Sequence, residues 1–195
     1  MRKKIAIIGG SYLQLPAVLK AHKLGLEVHC FSWEEGAVCA EYADYFYPIS
    51  ILEKERILSV CREIGVDGVM TIASDVAVIT VNYVAKRLGL VSNPEEYSLI
   101  TTDKYFMRQC FSKNQLPSPR FCLATIQEYD IAHFSYPLIV KPTDRSGSRG
   151  VEKVYSRESV AMAVERACSE SFTHTAIIEE YIGGREVSVE SISFD

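Results

Sequence analysis

At 195 residues the chain exceeds one small domain and suits about one and a half. Hydrophobic residues at 48% and charged residues at 24% are the balance of a folded globular protein and exclude a disordered one. A formal charge of -4 with no basic stripe excludes a nucleic-acid-binding surface, which requires clustered Lys and Arg.

The charged start, Met1 to Lys4, precedes an apolar run of only residues 5–8 that Gly9 and Gly10 stop. That run is too short for a signal h-region or a membrane span, so a buried first strand and no membrane partner are expected. The cysteines (Cys30, Cys39, Cys61, Cys110, Cys122, Cys168) are scattered without a C-x-x-C pair. Neither a zinc site nor a disulfide framework follows from such spacing, and a reducing cytoplasm is the expected location. His22 and His29 read as surface or strand residues.

In chain order, residues 4–8 form a central parallel strand ending in the turn Gly9-Gly10-Ser11, and residues 13–24 a helix closed by Gly25. Strands follow over residues 27–32 and 45–49. A helix over 54–64 ends at Gly65, a strand covers 68–73, and a helix over 77–88 ends at Gly89. This alternation predicts βαβ units and an open parallel sheet covered on both faces, an α/β class. Residues 95–114 read as two short helices broken around Thr101 and Thr102, with Thr102 as the cap of the second. After Pro117 and Pro119 the composition changes. Residues 120–124, 138–141, 150–155 and 175–181 are strand-like around one helix, 159–168, which predicts a small α+β module with an antiparallel sheet. The run 186–195 is also strand-like, and an isolated final strand needs a neighbour for its backbone groups, so the chain is expected to continue structurally beyond Asp195.

Two stretches carry chemistry. Residues 137–151 (PLIVKPTDRSGSRGV) are a strand, a glycine-containing loop and a return strand. Loop amides and hydroxyls can wrap a phosphate chain, and Lys141 at the strand end can reach the same anion. A polar surface hairpin with an incidental lysine fits this loop equally well, and it is not a Walker loop. The second stretch, residues 177–190 (IIEEYIGGREVSVE), is an apolar strand running into Glu179-Glu180-Tyr181-Ile182 and a Gly183-Gly184 turn. A strand edge can pair with an adenine edge, and Glu186 can accept two ribose hydroxyls.

Taken together these elements resemble the ATP-grasp superfamily, which includes biotin carboxylase, the carbamoyl-phosphate synthetase large subunit and D-alanine–D-alanine ligase. The resemblance implies a Rossmann-like pre-ATP-grasp domain over residues 1–93 and a helical linker over 94–118. An ATP-grasp lid would follow over 119–185, and 186–195 would be the first strand of a truncated C-terminal grasp subdomain. It implies ATP as ligand, with Lys104 and Lys141 on the phosphates and Ser146, Gly147 and Ser148 folded over them. Glu179, Glu180, Tyr181 and Ile182 would flank the adenine, and Glu186 would hold the ribose. It further implies small-molecule carboxylate and amine substrates, joined through an acyl phosphate, and admits a homodimer. Lys104 on a helix would, without that pattern, be an ordinary solvent-exposed charge.

The first domain offers Gly10, Ser11, Ser74 and Asp75 at the carboxyl ends of strands, the edge where open α/β sheets take ligands. The Gly9-Gly10-Ser11 turn would favour an anion at the next helix N-terminus. Asp75 reads first as a cap for a helix beginning at Ala77 and second as a substrate contact. The family's magnesium-holding Glu and Asn have no counterpart here; Glu190 matches no such pattern. Catalytic and magnesium-binding residues are therefore expected beyond Asp195, and the segment alone is expected to lack ligase turnover. Two rivals stand beside this reading. One is a non-catalytic nucleotide-binding fragment or degenerate grasp protein. The other is an NAD(P)-dependent oxidoreductase with Glu34 as ribose acid, although G-x-G-x-x-G is absent.

Overall fold

The computed structural model describes residues 2–187 and 189. Its contacts divide the chain into two compact units, Met1–Met107 and Arg108–Asp195.

The first unit opens with β1 (Lys4–Ile8), α1 (Leu15–Lys23), β2 (Glu27–Ser32) and β3 (Tyr45–Pro48). It continues with α2 (Lys54–Ile64), β4 (Gly68–Met70), α3 (Asp75–Leu88) and α4 (Ser98–Thr102). Its strands pair in the order β3-β2-β1-β4, all parallel. Alternate side chains of β1 serve opposite faces. Ile7 packs with Val28, Cys30 and, from α1, Val18 and Ala21. Ala6 and Ile8 pack with Phe31, Val69 and the α2 and α3 residues Ile57, Cys61 and Val84. A strand buried on both faces must be apolar throughout, which is why β1 reads as a continuous hydrophobic run.

Three local expectations change. Helix α1 begins at Leu15, because Ser11 to Gln14 is consumed by a turn in which the Gln14 amide donates to the Ser11 carbonyl at 3.1 Å. Strand β4 ends at Met70 rather than residue 73; Thr71 Oγ1 donates to the Ile8 carbonyl at 2.6 Å, and Ala73 turns into the left-handed region at φ 53°. Helix α3 begins at Asp75, so Ser74 holds the N-cap position and Asp75 lies in the first turn instead of capping a helix at Ala77.

Helix α5 (Lys104–Lys113) carries the boundary between the units. Its cap is Asp103, not Thr102. Asp103 Oδ1 accepts the amides of Tyr105 and Phe106 at 2.9 and 3.0 Å, whereas the Thr102 hydroxyl donates back to the Ser98 carbonyl at 2.9 Å. A side chain so committed within its own helix is unavailable to the next one.

The second unit goes on with β5 (Phe121–Ala124), β6 (Leu138–Pro142), β7 (Glu152–Val154), α6 (Arg157–Glu170) and β8 (Ala176–Glu180). Its sheet has the order β5-β8-β6-β7 and is antiparallel throughout. Leu138, Val140, Val154 and Ile178 pack against Val160, Val164 and Ala167 of α6. Residues between them in sequence point the other way, since strand side chains alternate. The register aligns Phe121 and Ile139 with Glu179, and Lys153 with Ile139, so these four form one row on the face opposite α6. Of the strand expected over 186–195, residues 188 and 190–195, Glu190 among them, lie outside the described residues.

Candidate nucleotide site

The second unit builds a charged triad around Glu179, a member of that row. Glu179 is 4% exposed. Arg108 of α5 donates through Nε to its Oε1 at 2.6 Å, and Lys141 of β6 donates through Nζ to its Oε2 at 2.5 Å. Burial alone would push the carboxyl up, but the hydrogen bonds and charges of Arg108 and Lys141 outweigh it and hold Glu179 below its ordinary range. The result is a half-buried ammonium and guanidinium oriented by one shared, buried carboxylate. Sequence reasoning missed Arg108, because its contact with Glu179 lies too far along the chain for spacing to show.

The loop after Lys141 is fixed at its base and open at its tip. The Thr143 amide donates to the Thr175 carbonyl at 3.3 Å. Asp144 accepts the amides of Phe172 and Thr173 at 3.2 and 2.9 Å, and the Thr173 hydroxyl at 2.9 Å. The Arg145 guanidinium lies 4.3 Å over the Phe172 ring. Beyond these anchors Ser146, Gly147 and Ser148 are exposed, with Gly147 at φ 70° and Ser148 at φ 56°. Successive left-handed residues turn backbone amides toward one side, a geometry suited to anions.

The remaining expected residues spread along the end of β8. Glu180 Oε1 accepts the Ser135 amide at 2.8 Å, and the Glu180 amide donates to the Arg120 carbonyl at 2.9 Å. The Tyr181 amide donates to the Pro137 carbonyl at 3.0 Å. Those two amides are therefore engaged within the protein. Lys153 Nζ lies 3.2 Å over the Tyr181 ring. Sequence reasoning missed Lys153, although period-two alternation through β7 places it on the same face as Glu179. Ile182 and Glu186 are exposed. Lys104, the first residue of α5, is half-buried and belongs to the first unit.

In the first unit, Gly10, Ser11 and Ser74 line a cleft of about 240 Å³ at the carboxyl edge of the parallel sheet, together with Ser32, Trp33 and Glu35. Asp75 is not among its lining residues. The Ser11 turn is closed from inside: Gln14 Oε1 accepts both the Ser11 amide at 3.1 Å and the Ser11 hydroxyl at 2.7 Å. Gln14 Nε2 in turn donates to the Ile72 carbonyl at 2.6 Å. The Ser11 amide thus serves Gln14 and not an anion, a role that residue type alone does not reveal.

Among the described residues no group of three His, Cys, Asp or Glu side chains is placed to hold a metal ion. The described residues therefore do not by themselves fit a magnesium site.

A parallel-sheet unit joined to an antiparallel-sheet unit with one covering helix is the α/β architecture of the ATP-grasp structures. The comparisons with known proteins agree. Residues 121–193 match the family model described as D-ala D-ala ligase C-terminus. The formate-dependent phosphoribosylglycinamide formyltransferase of Prochlorococcus marinus is 24% identical over 189 residues, covering 93% of this chain and 48% of that protein. The carbamoyl phosphate synthase large chain of Methanocorpusculum labreanum is 25% identical over 220 residues, covering 98% of this chain and 20% of that one. Among solved structures, the L-amino acid ligase from Bacillus licheniformis superposes with a TM-score of 0.73 at 25% identity, over 94% of this chain and 45% of that one. The chain is thus similar to ATP-grasp ligases, and it spans less than half the length of each of these relatives.

Proposed function

We propose that this chain is the ATP-binding part of an ATP-grasp ligase that activates a carboxylate for attack by an amine or similar nucleophile. The observation that carries the reading is the Lys141–Glu179–Arg108 triad, two half-buried cations on one buried carboxylate, set at the root of the glycine-containing loop. Lys141 supplies positive charge at the strand end, already stripped of much of its water, and Glu179 fixes where that charge sits. Ser146, Gly147 and Ser148 would close over the phosphates. The segment from Glu180, the last residue of β8, through Ile182 would flank the adenine, and Glu186 would accept the ribose hydroxyls. Lys104 would add a second cation. In the whole protein, a carboxylate oxygen would take the γ-phosphoryl group as ADP leaves, and the nucleophile would then displace phosphate from the acyl carbon. Positioning and charge neutralisation would account for most of the acceleration. Magnesium belongs to this chemistry in the family, and the described residues are assigned no part in holding it.

Thermal unfolding of the chain with ATP tests the assignment. A ligand at 100 times its Kd stabilises the folded state by about 2.7 kcal/mol. For a chain of this size each kcal/mol moves Tm by roughly 2–4 °C. Saturating ATP should therefore raise Tm by several degrees, and Lys141→Ala should weaken the effect at least about tenfold in ATP concentration, the order expected for losing a charge-assisted hydrogen bond. An unchanged Tm in millimolar ATP, with Lys141→Ala indistinguishable from the parent chain, refutes the reading.

A further inference from the structure

The cleft of the first unit has a chemistry of its own. Its volume, about 240 Å³, is below the roughly 300–1,000 Å³ common for drug-sized ligands, so it suits a small molecule. No Lys, Arg or His lines it, and Glu35 is its one charged residue. Trp33 is half exposed on the same rim. Leu13 and Ile51 add apolar wall, and Ser32 and Ser74 add hydroxyls. The Ser11 donors that would greet an anion are withdrawn, because Gln14 Oε1 holds both the Ser11 amide and the Ser11 hydroxyl. The floor is tight: a Cβ on Gly10 would meet Ser32 Cβ at 2.8 Å. Ala73, also in the lining, is held at φ 53°, a conformation that costs a non-glycine residue energy and collects at ligand sites.

We infer that this cleft binds a small primary amine with an apolar or aromatic body, its ammonium facing Glu35 and its body against Trp33, and that it discriminates against phosphorylated and carboxylate ligands. The inference rests on the ligase reading for its role, since an amine held here would be the nucleophile of the second half-reaction. Its physical basis is independent of that reading. An ammonium ion gains from both a carboxylate and the face of an indole, whereas a phosphate brought into this lining meets one negative charge and no cation. Trp33 and Glu35 are then the specificity-determining residues.

Trp33 is the only tryptophan in the chain, so its fluorescence reports the cleft directly. The test titrates the full chain, without nucleotide, with phenethylamine, with phenylpropionate as carboxylate counterpart, and with ribose 5-phosphate. Phenethylamine should change Trp33 emission saturably, with at least tenfold tighter half-saturation than either anion. Glu35→Gln should weaken the amine at least fivefold. Trp33→Phe, followed by calorimetry, should weaken it as well. Both positions are exposed, so neither variant should unfold the protein, and the melting curve of each checks this. Lys141→Ala should leave amine binding untouched, which separates failure of the cleft assignment from failure of the ATP assignment. Absence of a saturable response to the amine overturns the inference. So does equal or tighter binding of ribose 5-phosphate, or an affinity that Glu35→Gln leaves unchanged.

Discussion

A carboxylate at 4% exposure has lost nearly all of its hydration, and Glu179 stays charged because two cations replace that water. The folded carboxyl therefore titrates below its ordinary value of 4.5. Between the folded and unfolded values the unfolded chain binds the proton more readily. The triad's stabilisation is thus fully present above about pH 5 and is lost as pH falls through the folded value. Other lowered carboxyls, such as Asp44, contribute in the same direction, so the informative quantity is a difference. The gap in urea-unfolding free energy between the parent chain and Glu179→Gln should be constant from pH 7 to about 5.5 and should shrink in acid; a gap that widens toward acid contradicts the charge assignment. Removing one cation leaves the carboxylate half-compensated, so Arg108→Met should cost about 3 kcal/mol, measured by the same denaturation at pH 7. A loss below 1 kcal/mol would mean that Lys141 alone suffices. The sequence made Lys141 and Glu179 visible, because each ends an apolar strand within a recognisable pattern. It could not pair them with Arg108 or pair Ser11 with Gln14, since these bonds depend on register and rotamer and not on residue type.

Elements were legible where one periodicity dominated. Strand β1 announced itself as an unbroken apolar run, and α2 and α3 end at the glycines expected, Gly65 and Gly89, both left-handed. Boundaries shifted where side chains competed with the backbone, as Asp103 does at the start of α5 and Thr71 at the end of β4. The loop after β6 shows the same competition in its glycines. Gly147 at φ 70° faces open space, so alanine there meets only the left-handed penalty of about 1–2 kcal/mol. Gly150 at φ 63° has no such room: a Cβ would lie 3.0 Å from Pro142 Cγ and 3.3 Å from Glu170 Cβ. Gly150→Ala should therefore destabilise the chain by about 1 kcal/mol or more beyond Gly147→Ala, because crowding adds to strain. Urea midpoints of the two variants decide the order. Equal midpoints would show that the loop yields at its base as readily as at its tip.

At the scale of the whole chain the two units present different binding edges, and the question is which of them meets a nucleotide. A dinucleotide-binding turn aims free amides at a pyrophosphate from the start of its helix, with glycine allowing the ligand close. In the first unit the space a Gly10 side chain would need is occupied by Ser32, so that glycine serves packing between strands. The Ser11 amide is bound by Gln14, and Pro16 in the first turn of α1 has no N–H to offer. The exposed loop, Lys141 and Glu179 lie instead in the second unit, within residues 121–193 that match the family model described as D-ala D-ala ligase C-terminus. The rival oxidoreductase reading then has a direct test, since Trp33 lines the cleft beside the turn where a dinucleotide would enter. Titration with NADH to millimolar concentration should leave Trp33 emission without saturable quenching and the nicotinamide without sensitised emission. ATP over the same range should raise Tm. The opposite pair of results, energy transfer from Trp33 to NADH with no stabilisation by ATP, would move the nucleotide to the first unit and make the triad around Glu179 a purely structural device.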